Sequence, residues 1–71
     1  MVNTQKLKRI IYERGHTQQE LADLIGIDRS TFYRKMKNGG DFSVKEARKL
    51  AEEVPLTNLE AVDIFFSQEV A

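Results

Sequence analysis

Residues 18–39 read QQELADLIGIDRSTFYRKMKNG and contain two short helical patterns separated by a three-residue turn. Two helices that cross steeply after so short a turn need a small residue where their backbones approach, and Ala22 meets that need. The turn also needs a residue that tolerates a positive φ, as Gly26 does. Apolar residues flank the turn at Leu21, Ile25, Ile27 and Phe32. These features predict a helix-turn-helix over about residues 17–37, whose second helix projects as a free rod.

Capping signals place the beginnings of the other helices. Three segments pair a hydroxyl with a carboxylate three residues later, namely Thr17/Glu20, Ser43/Glu46 and Thr57/Glu60. In such a capping box the hydroxyl accepts from a free N–H of the first turn, and the carboxylate accepts from the N–H of the capping residue. Asp28 supplies a fourth beginning.

Helix ends are marked by residues that cannot continue a helix or that favour the left-handed conformation. Gly15 and Gly26 follow apolar-periodic runs, Asn38-Gly39-Gly40 closes the third segment, and Pro55 follows the fourth. Together with the capping signals, these residues predict five helices, over about residues 3–14, 18–25, 28–37, 44–53 and 58–67.

Apolar residues recur in each predicted helix at three- and four-residue spacing, the period of a helix with one face in a core. Along the chain, the predicted core residues are Leu7, Ile10, Ile11, Leu21, Ala22, Leu24, Ile25, Ile27, Phe32, Met36, Val44, Ala47, Leu50, Ala51, Val54, Leu59, Val62, Phe65 and Phe66. Tyr12 is expected at the edge of this core. The pattern predicts an all-α, compact five-helix bundle in which residues 1–71 form one domain and residues 68–71 fray.

The composition argues against several classes of protein. The chain has no cysteine and a single histidine, His16, so a cysteine-based zinc site is excluded and no metal or other cofactor is expected. We expect His16 to be a loop residue, and we expect no enzyme, because no nucleophile stands in motif context with it and the acids are spread over caps and helix faces. No apolar run approaches the roughly 18 residues of a membrane span. Since no signal-peptide pattern opens the chain either, we expect a soluble cytoplasmic protein.

Charge is distributed unevenly although the formal net charge is zero. Residues 1–49 carry a net charge of +5 and residues 50–71 carry −5. Four bases and no acid lie between Arg29 and Lys37. This polarity favours a molecule with one end facing a polyanion and the other end held away from it.

The segment 18–39 resembles the helix-turn-helix of phage repressor and Cro proteins, the wider XRE-like family. The resemblance rests on Gln18, Leu21, Ala22, Ile25, Gly26, Ile27, Ser30, Thr31, Phe32 and Asn38-Gly39. Lys35 stands where many members have an apolar residue, and Met36 fills that role one position later. The resemblance covers most of the chain. It implies a bundle of the lambda-repressor-like type and a bacterial or phage-encoded regulator that binds double-stranded DNA.

Side chains on the outer face of the predicted third helix are candidates for reading bases in the major groove, because spacings of three to five residues point them the same way. The candidates are Arg29, Ser30, Tyr33 and Arg34. An arginine donates two parallel hydrogen bonds to the O6 and N7 edge of guanine, and the resemblance places Arg29, Ser30 and Arg34 where relatives touch bases. Phosphate contacts are expected from Thr17, Gln18, Gln19, Lys35, Lys37, Asn38, Ser43 and Lys45. Lys35 and Lys37 lie in the predicted third helix, and the others lie at the beginnings of the second and fourth helices or in the loop before the fourth.

Three functions remain open at this point. The first is a sequence-specific transcription regulator, such as a phage or prophage Cro-like repressor, acting as a homodimer on a palindromic operator. The predicted dimer contacts lie in the C-terminal helix and its tail, at Ile64, Phe65, Phe66 and Val70. The second is a protein-interaction module that keeps this fold without binding DNA, which the near-neutral net charge and the acidic tail favour. The third is an architectural DNA factor of the excisionase kind.

Overall fold

The computed structural model describes residues 2–66 and contains five α-helices over that range. They are α1 (Thr4–Glu13), α2 (Gln18–Ile25), α3 (Arg29–Lys37), α4 (Val44–Glu53) and α5 (Asn58–Phe65). The prediction of an all-α five-helix bundle is confirmed. Residues 2–66 contain no strand, and none of the helices in this range could cross a bilayer. The predicted fraying of residues 68–71 lies outside the described residues.

Helix beginnings follow the capping residues, but not every predicted capping bond is made. Ser43 and Thr57 begin α4 and α5 with complete capping boxes. Thr17 Oγ1 accepts from Glu20 N at 3.1 Å, whereas the Glu20 carboxylate lies 2.6 Å from His16 Nδ1 instead of bonding the Thr17 N–H. The predicted box at α2 is therefore only half formed, because the His16 ring takes the carboxylate.

Two further helix beginnings differ from the expected pattern. Asp28 caps α3 by position but makes no side-chain capping bond. Asn3 caps α1 with its side chain accepting from Lys6 N at 3.1 Å, a bond that the sequence analysis missed. An Asn three positions before the first lysine of the helix was the signal for it, since Asn is among the best N-caps.

The turn between α2 and α3 depends on Gly26. Its φ is +81°, and Ile27 N donates to Ala22 O at 3.0 Å across it, so α2 ends at this residue and the chain turns within three residues. A residue with a Cβ is strained at such a φ, whereas glycine is not. The predicted left-handed turn is confirmed, and it leads directly into α3.

Among residues 2–66, the core gathers eleven buried apolar side chains from all five helices and the residue that follows α4. They are Leu7, Ile10, Ile11, Leu21, Ala22, Ile25, Phe32, Met36, Leu50, Val54 and Ile64. Helix α2 lies at the centre and packs against α3 and α4, while α1 packs against α5. The α1–α5 contact is reinforced by Arg14 Nη2 at 2.7 Å from Glu60 Oε2 and by Lys6 Nζ at 2.8 Å from Asp63 Oδ2.

Several predicted core positions are wrong. Exposed side chains stand at Leu24, Val44, Leu59, Val62 and Phe66, while Phe65 is half-buried. Tyr12, which we expected at the edge of the core, is exposed as well. Ile64, which we expected at a dimer interface, is fully buried instead. Helix α5 carries apolar residues on nearly every side, so its period alone does not determine which side turns inward.

Candidate nucleic-acid interface

Helix α3 lies on the bundle with one apolar side and leaves the other side open. Phe32 and Met36 are buried and anchor it, and the Phe32 ring packs on Phe42 with centroids 5.5 Å apart. On the open side, exposed side chains follow one another over two turns, at Arg29, Ser30, Tyr33, Arg34 and Lys37. All four residues proposed to read bases are therefore accessible on one helix.

Arg29 and Tyr33 pack against each other on this open side. The guanidinium carbon of Arg29 lies 5.4 Å from the centroid of the Tyr33 ring. A cation–π contact at an exposed site contributes about 0.5–1 kcal/mol, and it restrains the long arginine side chain before any ligand arrives. This contact was not predicted from the sequence, although the four-residue spacing of Arg29 and Tyr33 on a helix was the available signal.

The beginning of α2 forms one flank of the open side of α3. Thr17 caps the helix, Gln19 is exposed and Gln18 is half-buried. Gln18 Oε1 is buried without a hydrogen-bond partner among residues 2–66. The free N–H groups of a helix beginning attract anions. This flank therefore suits a phosphate.

The other flank is the loop from α3 to the beginning of α4. Lys37 and Asn38 end α3 with exposed side chains, and Ser43 and Lys45 are exposed where α4 begins. Ser43 Oγ accepts from Glu46 N at 3.1 Å, so its hydroxyl hydrogen is still available to donate. These four residues bring donors and positive charge to the second flank.

Comparison with known proteins agrees with this arrangement. A family model described as helix-turn-helix matches residues 6–57, which run from the first turn of α1 past the end of α4 and include the turn at Gly26. The chain belongs to the XRE-type helix-turn-helix family. Its members are DNA-binding transcription regulators, and this XRE-type protein is one of them. No curated protein and no solved structure gave a significant match.

Lys35 occupies a different place from the other cations of α3 in this XRE-type protein. Its ammonium lies 3.1 Å from Glu46 Oε1 and donates to Asp41 O at 3.1 Å, on the side of α3 that faces α4. Its side chain is 21 % exposed. Contact of Lys35 with a phosphate stays a prediction, and it would require this ion pair to open.

A shallow apolar groove of about 310 Å³ lies between α4 and α5 of the XRE-type protein. Small side chains line it at Ala47, Ala51 and Ala61, with Phe65 beside them. Two exposed apolar side chains, Val44 and Phe66, also line the groove. Of the predicted dimer contacts, Phe65 and Phe66 therefore lie at this surface, Ile64 is excluded by its burial, and Val70 lies outside the described residues.

Proposed function

We propose that this XRE-type regulator reads a specific double-stranded DNA sequence by placing α3 in the major groove. The observation that carries the proposal is the contrast between the two sides of α3, where buried Phe32 and Met36 fix the helix while Arg34 and its neighbours are exposed. The major groove of B-DNA is wide enough to admit an α-helix, and each base pair presents a distinct pattern of donors and acceptors there.

Base contacts would come from the exposed side of α3, at Arg29, Ser30, Tyr33 and Arg34. The arginines can each recognise a guanine through two parallel hydrogen bonds, which contributes about 1–3 kcal/mol of discrimination. Stacking on the Tyr33 ring supports Arg29 in this role because it limits the conformations of the side chain before binding. Ser30 accepts or donates, so it would discriminate weakly.

Phosphate contacts would hold α3 in register from both flanks. On one flank they are assigned to Thr17, Gln18 and Gln19, and on the other flank to Lys37, Asn38, Ser43 and Lys45. Contacts of this kind orient a protein on the duplex without reading its sequence. The free N–H groups at the beginnings of α2 and α4 support the assignment, since the N-terminus of a helix favours an anion.

The test begins with selection of binding sites from a random DNA pool, which should yield one defined sequence. Arg34→Ala should then relax the preference at one base position by about 1–3 kcal/mol. Lys37→Ala should weaken binding to the selected duplex and to a scrambled duplex alike. It should also lower the magnitude of the slope of log K against log salt by about 0.9.

Equal losses from Arg34→Ala and Lys37→Ala on both duplexes would contradict the base-reading role of Arg34. Failure of the wild-type protein to be retained on random DNA at any salt concentration would favour the protein-interaction module. Selection without a preferred sequence, together with strong bending of the bound duplex, would favour the architectural factor.

We further propose that two copies bind a two-fold symmetric operator and associate through the groove between α4 and α5. Phe66 projects beside a depression lined by Ala47, Ala51 and Ala61. A projection and a depression on one patch suit a two-fold interface, in which each copy offers the same surface to the other. Such a dimer would place two recognition helices about 34 Å apart, one turn of DNA.

Phe66→Ser tests the dimer, and Tyr12→Ser is the matched control because Tyr12 is an equally exposed aromatic on α1, away from the groove. Phe66→Ser should lower the affinity for a full operator at least about tenfold while leaving the affinity for a half-site unchanged. Sedimentation equilibrium of each variant gives the oligomeric state directly. A wild-type monomer on a symmetric operator would contradict the dimer.

We also propose a role as a Cro-like repressor encoded by a phage or prophage, a finer form of the DNA-binding regulator that the family match supports. A reporter with the selected operator across the promoter should lose expression when the protein is supplied. Increased expression from an upstream operator would instead assign activation.

A further inference from the structure

We propose that Lys35 is a positioning residue for DNA recognition rather than a phosphate contact. Through Glu46 it sets the orientation of α3 relative to the beginning of α4. This inference rests on the proposed function, since it concerns how the two flanks of the same interface are held in register. Lys35 forms an ion pair with Glu46 of another helix, whereas Arg29, Arg34 and Lys37 are exposed.

The ion pair joins two elements that would touch different parts of the duplex. Lys35 Nζ lies 3.1 Å from Glu46 Oε1, and the same oxygen accepts from Ser43 N at 2.8 Å. The Ser43 hydroxyl in turn accepts from Glu46 N. One carboxylate oxygen therefore connects α3 to the cap of α4, where two of the proposed phosphate contacts stand.

The backbone of Lys35 closes the same junction from the other end. Its carbonyl oxygen accepts from Gly40 N at 2.8 Å and from Asp41 N at 3.3 Å, while its ammonium donates to Asp41 O at 3.1 Å. The loop that follows α3 is thus bound by both the backbone carbonyl and the side-chain ammonium of Lys35. Loss of the side chain would remove the bond to Asp41 O and the ion pair with Glu46 together and would loosen this junction, which the two backbone bonds to the Lys35 carbonyl oxygen alone would then hold.

The position of Lys35 on the helix separates it from the reading side. At 3.6 residues per turn, Lys35 and Lys37 differ by about 200°, so they point to nearly opposite sides of α3. The Lys35 and Glu46 side chains are 21 % and 18 % exposed, and such partly buried pairs are screened less by solvent and salt than surface pairs are. A helix that reads bases must be held within a fraction of an ångström to discriminate between base pairs. The Lys35–Glu46 pair would hold α3 in this way.

The ionisation of Glu46 is consistent with this arrangement. The Ser43 N–H, followed by the Lys35 ammonium, holds the pKa of Glu46 below its ordinary value despite partial desolvation. The carboxylate is therefore charged at neutral pH, when it meets the ammonium.

The experiment compares Lys35→Gln with Lys37→Gln, the same change at an exposed cation of the same helix. Affinities for the selected operator and for a scrambled duplex are measured from about 50 to about 200 mM salt. Lys37→Gln should flatten the salt slope by about 0.9 for both duplexes. Lys35→Gln should leave the slope unchanged and lower the operator-to-scrambled ratio by about fivefold, which corresponds to loss of part of one base contact.

Glu46→Gln separates the two roles by the sign of its effect. If the pair positions α3, Glu46→Gln lowers the operator-to-scrambled affinity ratio as Lys35→Gln does. The double variant Lys35→Gln/Glu46→Gln lowers this ratio no more than either single variant. Lys35→Arg retains the wild-type ratio. If Lys35 binds phosphate, Glu46→Gln releases the ammonium and strengthens binding to both duplexes. That result, or a flattened slope for Lys35→Gln, overturns the inference. Should Lys35→Gln fail to fold, Glu46→Gln decides alone.

A measurement without DNA distinguishes this inference from the proposed function. Hydrogen exchange at the amides of Gly40 and Asp41 should become faster in Lys35→Gln and stay unchanged in Lys37→Gln. Unchanged exchange in both variants overturns the positioning role even if the wild-type protein recognises its operator. A wild-type protein that binds operator and scrambled DNA with equal affinity contradicts the proposed function instead. Faster exchange in Lys35→Gln would still show that Lys35 holds the loop after α3.

Discussion

Gly40 has less room for a side chain than the glycine beside it. Both Gly39 and Gly40 have a left-handed φ, of +79° and +77°. A Cβ at Gly39 would meet open space, whereas a Cβ at Gly40 would overlap the side chain of Val2. The N-terminal segment therefore passes directly over the turn that follows α3, and only a glycine lets it approach.

Alanine substitutions at the two glycines should accordingly differ. Gly39→Ala should reduce the free energy of unfolding by about 1–2 kcal/mol, which is the backbone penalty for an L-residue in this conformation. Gly40→Ala should lose at least about 1 kcal/mol more, because Val2 must shift as well. Urea unfolding at 25 °C measures both differences.

Removal of Val2 provides the control. The double variant Val2→Gly/Gly40→Ala should differ from Val2→Gly alone by about the loss seen for Gly39→Ala, since the Cβ of Val2, the atom nearest to the added methyl group, is removed. Equal losses for Gly39→Ala and Gly40→Ala would show that the N-terminal segment does not pack on this turn.

The residues of the recognition surface were predictable to different degrees. The exposure of Arg29, Ser30, Tyr33 and Arg34 followed from helical geometry once Phe32 was assigned to the core. The ion pair of Lys35 did not, because its partner lies eleven positions away in another helix. For a lysine at the boundary between the buried and exposed sides of a helix, the sequence does not specify whether the side chain contacts a neighbouring helix or points into solvent.

Among the elements, α3 and α4 differ in how their beginnings are stabilised. Ser43 gives α4 both bonds of a capping box, while Asp28 caps α3 by position without a side-chain bond. A capping hydroxyl contributes about 1 kcal/mol. An acidic group near a helix beginning contributes only a few tenths of a kcal/mol through the helix dipole.

Ser43→Ala should therefore reduce the free energy of unfolding by about 1 kcal/mol, and Asp28→Ala by less than half of that. Chemical unfolding monitored by circular dichroism gives both values. If the Asp28 variant lost as much as the Ser43 variant, the cap of α3 would be bonded in solution after all.

At the scale of the whole molecule, two carboxylates connect distant elements and should govern its response to acid. The Arg14 guanidinium, followed by the Thr57 N–H, holds the pKa of Glu60 below its ordinary value near 4.5. The Ser43 N–H and Lys35 do the same for Glu46. In the unfolded chain both groups take up protons at a higher pH than in the folded protein.

Stability should consequently change little between pH 7 and pH 5 on account of these groups and should fall below about pH 4.5. Thermal unfolding between pH 7 and pH 3 should show a smaller acid-induced decrease for Glu60→Gln than for the wild type. Glu52→Gln, a change at an exposed carboxylate of α4, is the control and should leave the pH profile unaltered. A profile of Glu60→Gln identical to that of the wild type would contradict the proposed contribution of the Arg14 pair.

Helix number, helix ends and the turn at Gly26 were predictable because the interactions that specify them join residues at most five positions apart, as the Ser43–Glu46 box and the Ile27–Ala22 bond do. The inward side of α5 was not predictable in this way. Ile64 is buried while Leu59 and Val62 are exposed. That choice follows from contacts with α1 such as Arg14–Glu60 and Lys6–Asp63, which join residues 46 and 57 positions apart. An apolar helix forms its own backbone hydrogen bonds at any rotation about its axis. Which side is buried is therefore determined by packing against the neighbouring helices.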